Sequence, residues 1–219
     1  MTSYLSFLSR LSPIPCRDDI AQVAQLNFSR TGIAVEVGVF RGQFSAKNLN
    51  RWKGKYFQVD AWAFRPHDPA DKNYKNEKDN KNNRKAAWKN VVQHQSRVEQ
   101  IQDLSANAAS RFKDHEIDWI YIDALHTKSG LYTDLTMWWD KVRPGGLISG
   151  DDYGDMNDTR SITSVRWSRK FGGVARNPNN RWGVISALEK FTEEKNVVLH
   201  VTWNHDCYPF PAWYFVKPF

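Results

Sequence analysis

The feature that most constrains this chain is an alternation: apolar runs of strand length are separated by stretches with helical spacing. The runs are IAVEVG (33–38), KYFQVD (55–60), RVEQIQ (97–102), IDWIYID (117–123), GGLISGD (145–151), VVLHVTW (197–203) and AWYFVK (212–217). Such an alternation specifies a parallel sheet covered by helices, because each parallel connection has to cross a face of the sheet. Between the fourth and fifth runs, LYTDLTMWWDKV carries Leu131, Leu135, Trp138, Trp139 and Val142 at helical spacing, and Arg143-Pro144-Gly145-Gly146 stops it. RWGVISALEKFTEEK repeats the pattern with Ile185, Leu188 and Phe191. The last two runs are joined by WNHDCYPFP, short enough for an antiparallel pair. The expectation is an α/β, Rossmann-like fold: a seven-stranded, mostly parallel sheet with a C-terminal antiparallel hairpin and helices on both faces. A length of 219 residues fits one domain over 1–219, with 1–30 read as an N-terminal helical extension.

Residues 64–85, FRPHDPADKNYKNEKDNKNNRK, break the rhythm: they show no apolar periodicity and are dense in Lys, Asn and Asp. A structureless stretch of that length is a functional lid or a solvated loop. Its place after the second run, at the end of the sheet where open α/β folds bind ligands, favours a lid.

The formal net charge is +7, but much of the basic character lies in that stretch and is not interleaved with aromatics, so a nucleic-acid partner is disfavoured. No apolar run approaches membrane-spanning length, which argues against a membrane partner. The N-terminal MTSYLSFLSRLSPIPCRDD is too broken by Ser, Arg and Pro for a cleaved signal, so a cytoplasmic location is expected. Cys16 and Cys207 share no metal-ligand spacing and are read as reduced thiols without a role.

The first run leads into Glu36-Val37-Gly38-Val39-Phe40-Arg41-Gly42 and then a helix-compatible QFSAKNLNRW. Glycines at 38 and 42 let the backbone turn sharply and approach a ligand closely; an adenosyl group would fit. The spacing differs from the GxGxxG of dinucleotide binders, and a Glu at the strand end suits a cation better than a pyrophosphate. Glu36, Gly38, Phe40, Gly42 and Ser45 are therefore cofactor-site candidates. Asp60, some 20 positions beyond the glycines, stands where α/β nucleoside sites bind ribose hydroxyls. Asp103, after the third run, is either an adenine ligand or a helix cap.

Asp123 ends the fourth run, and Asp151 and Asp152 end the fifth. If those strands are neighbours, the carboxylates meet at one sheet edge, where like charges raise each other's pKa unless a cation is held. Oxygen ligands select hard ions, Mg²⁺ or Mn²⁺. A cation with open positions could take two adjacent hydroxyls of a sugar or a catechol and acidify one of them. His126 is a candidate base or acceptor hydrogen-bond partner, against the plain reading of a surface-loop histidine, and Asp123 competes with it as base.

EVGVFRG, VDAW, DWIYIDALHTKSGLYTDLTMWWDKVRPGGLISGDDY and RWGVISALEKF resemble the metal-dependent class I sugar O-methyltransferases of the macrocin O-methyltransferase type, over roughly residues 30 to 217. Relatives of that family include glycan-modifying methyltransferases of large DNA viruses. The resemblance implies a Rossmann-like methyltransferase fold, S-adenosylmethionine as donor and Mg²⁺ or Mn²⁺ held by Asp123, Asp151 and Asp152. It also implies Asp123 as the favoured base, which additionally lies beside the donor, and a sugar or glycan acceptor. A virus-encoded member would work in the host cytoplasm. Ala124 stands where the family commonly has Gly, and the chain lacks the N-terminal extension with which antibiotic enzymes cover the acceptor. A catechol-type O-methyltransferase is the first rival and a nucleic-acid methyltransferase the second. A homodimer is compatible with the sequence.

Overall fold

The computed structural model describes residues 13–27, 32–63, 76–155, 182–204 and 210–219. The strands are β1 (Ile33–Val37), β2 (Lys55–Asp60), β3 (Val98–Gln102), β4 (Ile117–Ile122), β5 (Val142–Gly150), β6 (His200–Val201) and β7 (Trp213–Val216). The helices are α1 (Ile20–Asn27), α2 (Gln43–Arg51), α3 (Glu77–Val91), α4 (Ser105–Ala109), α5 (Lys128–Trp139) and α6 (Val184–Lys195). They surround one sheet of order β3-β2-β1-β4-β5-β7-β6. The strands from β3 through β5 are parallel; β7 pairs antiparallel with β5, and β6 antiparallel with β7. The expected fold is the observed one.

Alternation along the strands divides the core into two layers, since successive side chains leave a strand on opposite faces. Val35, Val37, Ile120, Ile122, Ile148, Trp213 and Phe215 pack with Leu131, Leu135 and Trp138 of α5 and Leu188 and Phe191 of α6. Ala34, Tyr56, Trp119, Tyr121, Leu147, Tyr214 and Val216 pack on the other face with Ile20 of α1, Leu49 of α2 and Val91 of α3.

Three local readings change. Glu77–Val91 is a fifteen-residue helix, so the second half of the segment read as structureless is ordered into α3, while residues 64–75 lie outside the described residues. The helix is capped by Asn76, whose side chain accepts from the Asp79 amide at 2.9 Å. Its inward residues are Asn80, Asn83, Ala87 and Val91. The helical period is present, but written half in asparagine, so a search for apolar residues passes over it. Second, α5 ends at Trp139 and Arg143-Pro144-Gly145-Gly146 belongs to β5; a register irregularity opposite Ile117 and Trp119 accommodates Pro144, which has no N–H for a ladder. Third, β6 is only two residues long.

Within the stretch expected to be an N-terminal helical extension lie a 3₁₀ turn, Arg17–Asp19, and α1. Cys16 is buried and unpaired, and Cys207 lies outside the described residues. No described helix is long and apolar enough to cross a membrane.

Candidate functional site

The C-terminal ends of β1, β2, β4 and β5 form a shelf stitched by backbone hydrogen bonds beyond the sheet proper. The Gly38 amide donates to Val59 O at 2.9 Å, Asp123 to Val37 O at 2.7 Å, Asp151 to Ile122 O at 3.2 Å and Asp103 to Asp60 O at 3.1 Å. Gly38 is required here: its φ is +91°, and a Cβ would stand 1.8 Å from the Asp123 carbonyl oxygen. The turn after β1 and the start of the segment after β4 therefore touch backbone to backbone. Gly42, with φ +73°, precedes α2 and lets α3 approach, since a Cβ would lie 2.9 Å from Ala87 Cα.

Asp60 locks the glycine turn. The amides of Val39 and Phe40 donate to its Oδ2 at 2.9 and 2.8 Å, and the Trp62 amide donates to Oδ1 at 2.7 Å. The Trp62 indole returns a bond of 2.8 Å to Phe40 O. Phe40 and Trp62 hold positive φ of 51° and 38°, a left-handed conformation that costs about 1–3 kcal/mol at a residue with a large side chain and persists only where surroundings fix it. The two carboxylate oxygens of Asp60 thus fix three amides of the turn.

Glu36 and Ser45 lie beneath the shelf, fully enclosed. The Ser45 hydroxyl and the Tyr56 phenol each donate to Glu36 Oε2 at 2.6 Å. Gln58 Nε2 donates to Ser45 Oγ at 2.7 Å, and Gln100 Nε2 to Gln58 Oε1 at 3.0 Å. Burial pushes the Glu36 carboxyl up to about 7 against the lowering effect of these hydrogen bonds. Both residues support the glycine turn from inside the protein and present no surface to it.

Asp103 is engaged by its own helix. Its Oδ1 accepts from the Leu104 amide at 2.9 Å and Asn107 Nδ2 at 3.0 Å, and Oδ2 pairs with Arg111 at 2.9 Å. These bonds hold its carboxyl below the usual carboxylate range, led by Asn107 and Arg111. The carboxylate thus engages the start of α4 from one position ahead of the N-cap residue, Leu104.

Of the residues expected to hold a metal, the structure brings Asp123 and Asp152 together, and with them His126. His126 Nε2 lies 3.2 Å from Asp123 Oδ1 and 3.2 Å from Asp152 Oδ2, and the ligand atoms of the three residues all fall within 4.8 Å of one another. Burial pushes the Asp152 carboxyl up to about 6; the Asp123 charge adds to this, while His126 and Arg17 oppose it. Asp151 is not in this group. It is buried and pairs through Oδ2 with Arg17, while its Oδ1 has no hydrogen-bond partner. The side chains gathered here are Asp123, His126 and Asp152, where the sequence led to Asp123, Asp151 and Asp152. The physical reason is local: neighbours on an extended chain project to opposite sides, and Asp152, at φ 59°, turns away in a left-handed conformation that Asp tolerates.

Arg17 escaped sequence reading, and Trp182 lay within the RWGVISALEKF resemblance. Trp182 stacks on the His126 ring, centroids 4.9 Å apart and 17° between planes, and donates from its indole to Asp152 O at 3.1 Å. Arg17 comes from the N-terminal side. Arg17 carries no motif, since it reaches the site across the fold.

Residues 35–153, more than half of the chain, match a family described as a methyltransferase domain, and the chain belongs to that family. Its fold is that of solved methyltransferases. An O-methyltransferase from Bacillus cereus in complex with SAH is 16% identical, covers 96% of this chain and 86% of that one, with a TM-score of 0.55. The O-methyltransferase TomG from Streptomyces achromogenes in complex with SAM is 13% identical, covers 92% and 79%, with a TM-score of 0.57. An O-methyltransferase family protein from Burkholderia thailandensis is 15% identical, covers 92% and 55%, with a TM-score of 0.63. No curated protein matches the chain.

Proposed function

We propose that the chain transfers the methyl group of S-adenosylmethionine to a sugar hydroxyl, with a divalent cation, Mg²⁺ or Mn²⁺, bound at the acceptor side. The observation that carries this reading is the group Asp123, His126 and Asp152, gathered within 4.8 Å beside the glycine turn. Family membership supports methyl transfer, and the motif resemblance between Asp118 and Tyr153 supports a sugar acceptor. The donor set fits a hard or borderline cation: two carboxylate oxygens and one imidazole nitrogen.

When bound, the donor supplies an electrophilic methyl group and the cation acidifies a hydroxyl. The chain's own residues do the rest. Gly38 and Gly42 let the turn after β1 close against the Asp123 backbone and α3, and Asp60 fixes that turn on the donor side. Asp123 and His126, in contact with each other, are placed to take the hydroxyl proton, and Trp182 keeps the imidazole in plane. Holding two reactants in line accounts for most of the acceleration.

The test is Asp152→Asn, which retains a residue tolerant of positive φ. Methyl transfer to a panel of glycosides falls about 100-fold, corresponding to about 2.7 kcal/mol, while S-adenosylhomocysteine binding by calorimetry is kept. EDTA gives the same loss in the unaltered protein. Full turnover in EDTA overturns the metal reading, and transfer to catechols in place of glycosides overturns the sugar reading.

A further inference from the structure

The site carries a cation of its own. Arg17 opens the 3₁₀ turn ahead of α1, and its guanidinium pairs with Asp151 Oδ2 with only 11% and 1% of the two side chains exposed. The guanidinium lies over the Phe44 ring of α2, 4.3 Å from its centroid, a second contact that holds it in place. Its charge also reaches Asp152, Glu36 and the Tyr121 phenol, lowering all three against their burial. A guanidinium does not lose its proton in a protein, so this positive charge is permanent.

We propose that Arg17 sets the divalent-cation affinity of this site, by taking Asp151 out of the ligand set and by opposing the incoming charge. This rests on the metal reading above. Both effects act in one direction. Asp151 and Asp152 both follow β5, which ends at Gly150, and a carboxylate already neutralised by a fixed guanidinium has little left to offer a metal ion. A unit positive charge close to a divalent ion in a poorly solvated setting is strongly unfavourable. The cation is left to Asp123, His126 and Asp152, and its affinity is a balance between two negative charges that attract it and one guanidinium that repels it.

The experiment is Mn²⁺ binding to the full chain, read from the electron paramagnetic resonance signal of free Mn²⁺, without donor or acceptor. Arg17→Gln is expected to bind about tenfold tighter than the unaltered protein. Arg17→Lys, which keeps the charge, stays within about threefold. The double variant Arg17→Gln with Asp151→Asn leaves no unpaired buried charge and guards against misfolding of the single variant. It retains Mn²⁺ binding at the unaltered level or better. Unchanged or weaker binding in Arg17→Gln overturns the proposal, as does equal tightening in Arg17→Lys. Loss of binding in the double variant makes Asp151 a ligand and overturns it too. Those outcomes leave the metal reading standing; absence of Mn²⁺ binding in every variant and in the unaltered protein overturns both.

Discussion

Glu36→Gln isolates the energetics of the polar layer beneath the glycine turn. In the fold the Glu36 carboxyl is pushed up to about 7 by burial, against an ordinary value of 4.5. A group that binds its proton more tightly when folded contributes stability below its unfolded pKa and loses it as pH rises through the folded value. At 1.36 kcal/mol per pKa unit, stability falls by about 3 kcal/mol between roughly pH 4.5 and 7, and is flat beyond. For a chain of this size that corresponds to a drop in melting temperature of roughly 6–12 °C. Glutamine keeps an oxygen for the Ser45 and Tyr56 hydroxyls, which donate at 2.6 Å, and has no proton to lose. Melts followed by circular dichroism at pH 5, 6, 7 and 8 in EDTA should show the drop in the unaltered protein and not in the variant. Taking the difference between the two proteins cancels groups common to both, Asp152 included. Parallel pH curves for the two proteins would refute the reasoning.

Two further outcomes follow from the shelf. Gly38→Ala puts a methyl group 1.8 Å from the Asp123 carbonyl at a φ of +91°, so it should destabilise the protein by more than about 3 kcal/mol and abolish S-adenosylhomocysteine binding; a melting temperature within a degree or two of the unaltered protein would contradict the close approach. Trp182→Ala removes the ring stacked on His126 and the bond to Asp152 O, so methyl transfer should fall about tenfold with donor affinity unchanged; an unchanged turnover rate would remove Trp182 from the site.

The sheet was legible because its strands are apolar runs bounded by breakers, and sheet order follows from short right-handed parallel connections. The positions of Asp60, Asp123 and Asp152 were legible for the same reason: each stands at or just beyond the C-terminal end of a strand, and those ends of parallel strands face one way. What failed depends on information that period and spacing do not carry. Asp151 and Asp152 are indistinguishable as a dipeptide, and a backbone φ of 59° with a distant arginine separates them. Glu36 and Ser45 sit in the motif, yet their oxygens are satisfied by Tyr56, Gln58 and each other, partners that only the neighbouring strand reveals. Helix α3 was hidden because asparagines occupy half of its inward face.

The hydrogen bonds that stitch Gly38, Asp103, Asp123 and Asp151 to adjoining strands make the reactive floor an extension of the sheet itself. A chain built this way divides its evolutionary freedom unequally. Altering the floor means unzipping strands, so the placement of Asp123 and of the Gly38 turn is inherited with the fold. Side chains that rest on the floor without joining its backbone ladder carry less of that burden, and changing them offers a route by which one methyl-transferring shelf is fitted to different acceptors.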